Sequence, residues 1–293
     1  MTISGRDERR HPPGPELSFN EWWSLDYARD DGFGGFVRLA LYPNAGVAWF
    51  WAYVVTPDAP GPIAVRDHEV PLPRGDALEV RADGLWSEAT CETPLEHWTY
   101  GLEAFGVRLD VPGDGYRGEI GERMPVGLDL EWELRATPHA EVDRYEQAGS
   151  VHGEVLIGRE RIDFDGSGTR AHGWGVAEPW VSGSVRASFQ SGDAFALGVA
   201  PPNGYLWRGG TTAATLQGVS AEARTGIDGI PTAARFIVEG EFDVEVDVLA
   251  AAAIPLSDSL RLPRALCRFQ LDDGATSGVG WAEWAQAGPA ASR

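Results

Sequence analysis

The stretch from Gly166 to Trp180 reads GSGTRAHGWGVAEPW, and the interpretation of the whole chain starts from it. It holds four glycines, one histidine, two tryptophans and one carboxylate in fifteen positions. Glycine lets a backbone turn tightly or approach another chain or a ligand closely. Large aromatics between such glycines favour a pocket wall over a mobile loop. No common motif with a built-in mechanism matches the stretch, so its chemistry depends on its surroundings.

Short runs rich in β-branched and aromatic residues on both sides of this stretch predict an all-β protein. A hairpin over Val151–Asp165, turning at Gly158-Arg159, leads directly into the stretch. Further strands are expected at 37–42, 47–56, 78–90, 97–111, 126–137, 184–190, 195–199, 205–208, 215–224, 234–239, 242–248, 266–271 and 279–284. So many strands without a long amphipathic helix favour antiparallel barrels or sandwiches, which hide strand edges.

The polar segment Pro138–Gly149, interpreted as a linker or a short helix, divides these strands into two halves of similar size. We therefore expect a disordered, proline-rich head at 1–15 and an N-terminal barrel domain at 16–145. A C-terminal barrel domain is expected at 146–293.

The predicted strand at 47–56 is apolar on both faces, which indicates burial on both faces. One face carries small and aliphatic residues together with Phe50. The other carries Trp49, Trp51, Tyr53 and Val55. This aromatic face either lines a ligand cavity or lies beneath a second layer of the fold, and the sequence leaves both readings open.

Composition excludes several classes of protein. All 24 cationic residues are arginine, which removes a Walker phosphate loop, a pyridoxal Schiff base and a lysine nucleophile. A net charge of −20 argues against nucleic acid and anionic membrane surfaces as partners. The two cysteines, Cys91 and Cys267, are isolated, and neither a signal peptide nor a membrane span is evident. We expect a cytoplasmic protein with free thiols.

No cofactor or metal is expected from the motifs. No two of the six histidines have metal-ligand spacing, so a metal site would need distant residues to converge. The chain also contains no nucleophile elbow and no dinucleotide fingerprint. Hydrolase and dehydrogenase functions are therefore disfavoured.

Three separated segments resemble the carotenoid hydratase (hydroxyneurosporene synthase) and AttH-like family. Glu21-Trp22-Trp23 resembles its opening E-W-W signature. Phe164-Asp165-Gly166 leading into His172-Gly173-Trp174-Gly175 resembles its G-x-x-x-x-D-H-x-W-G segment. Residues 278–283, GVGWAE, resemble its closing G-x-G-x-x-E strand. The order of these segments spans nearly the whole chain.

The resemblance implies two lipocalin-like β-barrel domains. Family members include polyene hydratases, Diels–Alder cyclases of natural-product pathways and lipid-binding proteins without activity, so the resemblance implies the fold better than the reaction. Many members carry an acidic residue directly before the histidine, where this chain has Ala171. This difference favours cyclisation over hydration.

Protonation of an alkene needs a carboxylic acid kept neutral by burial, together with aromatic faces that stabilise a cation. The candidate catalytic residues are Glu178, which ranks first, and His172, Glu283 and Glu21; Asp26 is a further carboxylate beside aromatic residues. Candidate substrate-binding residues are Trp22, Trp49, Trp51, Tyr53, Trp174, Trp180 and Trp281. The alternative for each carboxylate is a structural role or plain solvent exposure. The alternative for His172 is a buried histidine that ties the glycine-rich segment to a neighbouring strand.

The leading hypothesis is a cofactor-independent enzyme of specialised metabolism. It would cyclise, isomerise or hydrate a hydrophobic polyene or terpenoid-like substrate in an aromatic-lined pocket near the domain junction. A carrier of hydrophobic small molecules is the main alternative, and a partner-binding subunit that kept only the fold is a third. The sequence leaves monomer and homodimer open.

Overall fold

The computed structural model describes residues 3–57, 59–118, 120–176, 183–226, 228–257, 260–272, 274 and 276–287. They form two antiparallel sheets. The eleven strands of the first sheet are β1 (Asn20–Ala28), β2 (Gly34–Tyr42), β3 (Val47–Val55), β4 (Ile63–Val70), β5 (Leu78–Ala82), β6 (Leu85–Thr93), β7 (His97–Leu109), β8 (Gly121–Leu134), β9 (His139–Glu141), β10 (Arg144–Ile157) and β11 (Glu160–Gly175).

The second sheet has ten strands. These are β12 (Ser184–Phe189), β13 (Ala194–Val199), β14 (Pro202–Arg208), β15 (Thr211–Gln217), β16 (Val219–Thr225), β17 (Pro231–Val238), β18 (Phe242–Ser257), β19 (Leu260–Leu271), β20 (Ser277–Glu283) and β21 (Gln286–Ala287). The strand order is β15-β14-β13-β12-β20-β19-β18-β17-β16, with β21 paired to β19. This sheet is a half-barrel.

The first sheet is closed into a ring. Its order is β4-β3-β2-β1-β11-β10-β8-β7-β6-β5, and β4 also pairs with β7 through Ile63 opposite Arg108. The prediction of an all-β protein with two lipocalin-like domains is confirmed. Within the described ranges the one helix is a 3₁₀ helix at Pro112–Arg117, and no helix there is long and apolar enough to cross a membrane.

The change from the first sheet to the second lies after Gly175, later in the chain than the predicted domain boundary at 145/146. Strands β10 and β11 belong to the first sheet, and the second sheet begins at Ser184. The polar segment at 138–149 is neither a linker nor a helix, because it forms β9 and the start of β10. One of its polar side chains, Glu146, pairs with Arg186 of the second sheet, which local composition does not reveal.

The described part of the head, residues 3–15, is packed against the first sheet, contrary to the disorder expected there. Glu8 is buried, and its carboxylate accepts hydrogen bonds from the guanidinium of Arg170 on β11 and from the backbone N–H of Leu95. Its neighbour Asp7 accepts through its carbonyl from the Tyr145 hydroxyl. Buried polar groups need such partners, so each of these bonds holds the head in place.

Two predicted strands are interrupted at a glycine. The segment 78–90 is the hairpin β5–β6, which turns at Gly84, and the segment 215–224 divides into β15 and β16 at Gly218. Both glycines have positive φ, +73° and +67°, a conformation that L side chains rarely adopt. The hairpin predicted to turn at Gly158-Arg159 is present as β10–β11, with Ile157 opposite Glu160.

The aromatic face of β3 lies between the two sheets. Trp51 and Tyr53 are both 1% exposed and belong to a buried cluster that also contains Ile254 and Leu266 from the second sheet. The opposite face, with Phe50, packs inside the first barrel. The layered reading of this strand is therefore correct, because the second sheet covers Trp51 and Tyr53.

Buried ion pairs also join the sheets. Asp26 on β1 accepts a hydrogen bond from Arg264 on β19 at 2.7 Å, and Glu146 on β10 accepts one from Arg186 on β12 at the same distance. Arg264 also contacts Glu283 at 3.2 Å. A buried charge is tolerated only with a partner, so these pairs restrict how the two sheets can be placed against each other.

Candidate functional site

Two segments of the family resemblance are adjacent strands in the fold. In the antiparallel pair β1–β11, Glu21 is opposite Trp174, and Trp23 is opposite His172. The glycine-rich stretch, predicted to form a pocket wall or a turn, is therefore strand as far as Gly175. Gly173 is required because a Cβ there would lie 2.6 Å from the indole of Trp22, which covers it.

His172 lies inside the first barrel and is fully buried. Its Nε2 is 3.0 Å from Glu21 Oε1, and its Nδ1 is 3.4 Å from the hydroxyl of Tyr145. The indole of Trp23 stacks on the imidazole, with ring centroids 4.4 Å apart and planes at 19°. This environment agrees with the structural reading of His172, since the side chain ties β11 to β1.

A second polar group lies beside this histidine. The guanidinium of Arg170 donates to the Glu8 carboxylate and, at 2.7 Å, to the Tyr145 hydroxyl. The indole of Trp98 lies under Arg170, with 4.4 Å between the guanidinium carbon and the ring centroid. Arg170 and Glu8 were not identified as site residues from the sequence, because residues 162 positions apart form the pair.

Burial sets the protonation state of His172. It lowers the pKa of the imidazole to about 4, against the opposing effect of Glu21, so the ring is neutral near pH 7. Burial alone would raise the pKa of Glu21, but hydrogen bonds from His11 and His172 outweigh it and hold this pKa below its usual value. Glu21 is therefore a carboxylate, which is the wrong state for the proton donor that was considered.

The head supplies a third member of this group. His11 Nδ1 is 2.8 Å from Glu21 Oε1, and the His11 ring stacks on Trp174 with centroids 3.8 Å apart. The donor atoms of His11, Glu21 and His172 all lie within 4.8 Å of one another, which is close enough for a metal ion to bind all three. The spacing of histidines in the sequence did not reveal this cluster. It was missed because His11 lies in the head, which was expected to be disordered.

Glu283 and Asp26 lie in the ion cluster between the sheets, and their pKa values are shifted in opposite directions. Burial alone would raise the pKa of Glu283, but Arg264, Arg186 and other guanidinium groups hold it below its usual value. Burial raises the pKa of Asp26 to about 6, although Arg264 and the Thr169 N–H oppose this. Among the candidate carboxylates that the structure describes, Asp26 alone has a raised pKa.

The remaining predicted site residues are dispersed over the two domains. Trp51, Tyr53 and Trp281 are buried between the sheets, where the Trp281 Nε1–H donates to the Tyr27 carbonyl at 3.1 Å. Trp22 packs against Ala171 on the outer face of the barrel, and Trp49 stacks on His68. Glu178 and Trp180 lie outside the described residues.

A half-open groove of about 460 Å³ lies where the two sheets meet. Its apolar walls come from small residues and two aromatic rings, Phe189 and Trp207. Charged side chains at its edge are Arg29, Asp30, Arg135, Asp165, Asp193 and Arg268. The volume lies in the range of small-molecule sites. The sequence predicted a pocket near the domain junction, but none of the candidate catalytic or substrate-binding residues lines this groove.

The groove and the His172 cluster are at opposite ends of the pair β1–β11. The groove is lined by Ala28 and Ser167, whereas the cluster contains Glu21 and His172. Five to seven residues of strand separate them, which corresponds to roughly 20 Å at about 3.3 Å per residue. They are two separate candidate sites.

Comparisons with known proteins agree with this fold. The model of a family described as a domain of unknown function (DUF7064) matches residues 4–288. No curated protein matches the chain. The crystal structure of an AttH-like protein from Nitrosomonas europaea superposes with a TM-score of 0.64 at 14% identity, covering 90% of this chain and 91% of that one.

Two further solved structures share the architecture. Kievitone hydratase from Nectria haematococca gives a TM-score of 0.60 at 13% identity, covering 94% of this chain and 93% of its own. CghA, solved with Sch210972, gives 0.56 at 12% identity, covering 94% and 89%. These similarities confirm the resemblance to AttH-like proteins at the level of the fold.

Proposed function

The chain belongs to the DUF7064 family, and we propose that it is an enzyme that binds a hydrophobic polyene or terpenoid-like molecule in the groove between its sheets. The reaction is a cyclisation or isomerisation that needs no cofactor. The observation that carries the proposal is the groove itself, with 460 Å³ of space between walls built largely from alanine, glycine and serine. Small wall residues leave room for a ligand that supplies its own bulk.

The distribution of charge favours cyclisation over hydration. The described carboxylates that line the groove are Asp30, Asp165 and Asp193; the first two are exposed and the third is partly exposed. Protonation of an alkene calls for a carboxyl group buried in an apolar pocket, and none of these three side chains is buried. Asp26 has a raised pKa, but it is bonded to Arg264 and Thr169 and does not line the groove.

A pericyclic reaction makes smaller demands on the protein. A shaped apolar wall can hold a flexible polyene in a reactive conformer, and one or two hydrogen bonds to a carbonyl can polarise it. Arginines at the edge of the groove, such as Arg29 and Arg268, are suitable donors. The names of similar structures support an enzyme of this fold, since one is a hydratase and another was solved with a small molecule bound.

The alternative function is a carrier. The same lack of a buried carboxyl among the described groove residues favours it, because binding alone needs no acid. A chain of about 15 buried methylenes contributes a gross gain near 12 kcal/mol at about 0.8 kcal/mol each, before the costs of association. Micromolar binding then requires no catalytic group.

The test begins with ligand capture. The purified protein is exposed to an extract of its native host and washed, and the retained compound is identified by mass spectrometry and then incubated with the protein. A new product of equal mass supports the cyclase or isomerase. A product heavier by one water would instead identify a hydratase. An unchanged compound favours the carrier, provided that synthesis shows the captured compound is not itself the product.

Two variants locate the site. Ser188→Phe places a ring in the groove and should abolish capture, whereas Ser220→Phe on exposed β16 is the matched control and should retain it. Capture by Ser188→Phe at the normal level would move the site elsewhere. Glu178→Gln tests the first-ranked sequence candidate: lost turnover with retained binding would assign Glu178 as the acid.

A further inference from the structure

We infer that His11, Glu21 and His172 form a binding site for a first-row divalent transition-metal ion such as Zn²⁺. The inference is independent of the groove and of the reaction proposed for it. Two imidazoles and one carboxylate are a common ligand set for zinc and for non-haem iron. The three residues come from the head, β1 and β11, so the ion would join three distant parts of the chain.

The donor atoms are already close to metal-binding geometry. Glu21 Oε1 is 2.8 Å from His11 Nδ1 and 3.0 Å from His172 Nε2, and all three atoms lie within 4.8 Å of one another. Bonds of about 2.0–2.1 Å in a tetrahedral site place ligand atoms roughly 3.3 Å apart. Outward shifts of about half an ångström would therefore admit an ion between the carboxylate and the two rings.

The outward-facing ring nitrogens also have suitable partners. His11 Nε2 lies 3.8 Å from Asp7 Oδ1, and His172 Nδ1 lies 3.4 Å from the Tyr145 hydroxyl. Metal-bound histidines usually direct the second nitrogen at a carboxylate, a carbonyl or another polar group, which fixes the tautomer. Here the polar neighbours are on the side away from Glu21, as a metal between the rings and the carboxylate would require.

The surroundings hold the rings in this orientation and leave one route of entry. Trp23 stacks on His172 and Trp174 stacks on His11. His172 and Glu21 are buried, while the His11 side chain remains 21% exposed. A fully buried imidazole is most easily accommodated in its neutral form, which is also the form that ligates metals. The adjacent cation, Arg170, is paired with Glu8 and adds little repulsion.

A surface group in the same chain provides a matched control. His97 and His152 also face one carboxylate, that of Glu131, at 3.0 and 3.7 Å, but all three side chains are substantially exposed. Adventitious ions would bind both groups equally. A built site would bind at the buried group alone, because its rings are already oriented and desolvated.

The experiment uses full-length protein without a histidine tag, stripped with a chelator and titrated with Zn²⁺ and with Co²⁺. We expect one tightly bound ion per chain, cobalt absorption bands typical of nitrogen and oxygen ligands, and a higher unfolding midpoint with Zn²⁺. Second-sphere changes commonly cost 10–100-fold in affinity, so His11→Ala should cost at least about 100-fold. The double variant His97→Ala/His152→Ala should bind as the wild type does.

Circular dichroism establishes that each variant is folded. If His11→Ala is not, Glu21→Gln serves instead, since it keeps the shape of the side chain and removes the charge. The inference is overturned if the wild-type protein binds Zn²⁺ no more tightly than the folded variant, or if the surface double variant loses the tight ion. Neither result bears on ligand capture by the groove, so the two proposals fail separately.

Discussion

Removal of the Glu8 charge tests whether the head is part of the folded barrel. The Arg170 side chain is 0% exposed and that of Glu8 is 2% exposed. Glu8→Gln keeps the size of the side chain but leaves a buried guanidinium without its counter-ion. Exposed ion pairs contribute about 0–1 kcal/mol, whereas breaking a buried pair costs about 3–5 kcal/mol. Because both partners are buried, the estimate for a buried pair applies here.

Other partners of Arg170 moderate this cost. The Tyr145 hydroxyl, the Gln147 side-chain oxygen and the ring of Trp98 remain beside the guanidinium in Glu8→Gln. We therefore expect a loss near the lower end, about 3 kcal/mol in the free energy of unfolding. Urea denaturation followed by tryptophan fluorescence and by far-UV circular dichroism measures it. The double variant Glu8→Gln/Arg170→Met should lose less stability than the sum of the losses in the two single variants, because no unpaired buried charge remains in it.

Glu16→Gln is the control, since Glu16 is an exposed carboxylate directly after the head. It should leave stability unchanged. Trypsin provides a second readout because the head carries Arg6, Arg9 and Arg10. Cleavage there should be faster in Glu8→Gln than in Glu16→Gln. Equal stability and equal cleavage in the two variants would show that the head is not held by the buried pair, and the reasoning would be refuted.

Three further predictions concern the core and its protonation. Trp51→Ala should cost about 3–5 kcal/mol in unfolding free energy, since it removes a fully buried ring between the sheets; a denaturation loss below 1 kcal/mol would show that the sheets separate easily. Gly168→Ala should destabilise the protein markedly, because the new Cβ would overlap the carbonyl oxygen of Asp26. Gly198→Ala should be tolerated, because the nearest atom to its new Cβ is 3.5 Å away. Equal unfolding midpoints for the two variants would contradict this packing. Acidification should destabilise the metal-free protein, because His172 has a pKa of about 4 when folded and about 6.5 when unfolded. The unfolded state binds the extra proton between these values, so stability falls by up to about 3 kcal/mol from pH 6.5 to 4, and the pH profile of His172→Asn should be flatter by that amount.

The strands were predictable because their signal is local. Alternation along β8 and continuous apolarity along β3 both reflect burial that the sequence itself encodes. Burial of Trp51 on the outer face was also predictable, but its cause was not, since the covering residues are about 200 positions away on β18 and β19. The sequence predicted burial on both faces of β3 and left open whether a ligand cavity or a second layer covers the aromatic face.

The sites were less predictable because their contacts are long-range. A high density of glycine is locally typical of turns, yet Gly173 lies in a strand and accommodates the ring of Trp22 from the adjacent strand β1. A charged, proline-rich head is typical of disorder, and no sequence pattern near Glu8 or His11 indicates that they have partners on β11. Ion pairing and burial determine protonation, so Glu21 and Glu283 could not be recognised as ionised before their neighbours were known.

The pairing of β1 with β11 determines when the protein can fold during synthesis. The second strand to emerge from the ribosome, β2, can pair with β1 at once, but the other edge of β1 has no partner until Gly175 has emerged. Until then, the edge of β1 is exposed and can pair with other chains. A fragment ending at 145 would retain that open edge permanently. We therefore expect such a fragment to aggregate, and we expect the nascent chain to gain protease resistance in one late step.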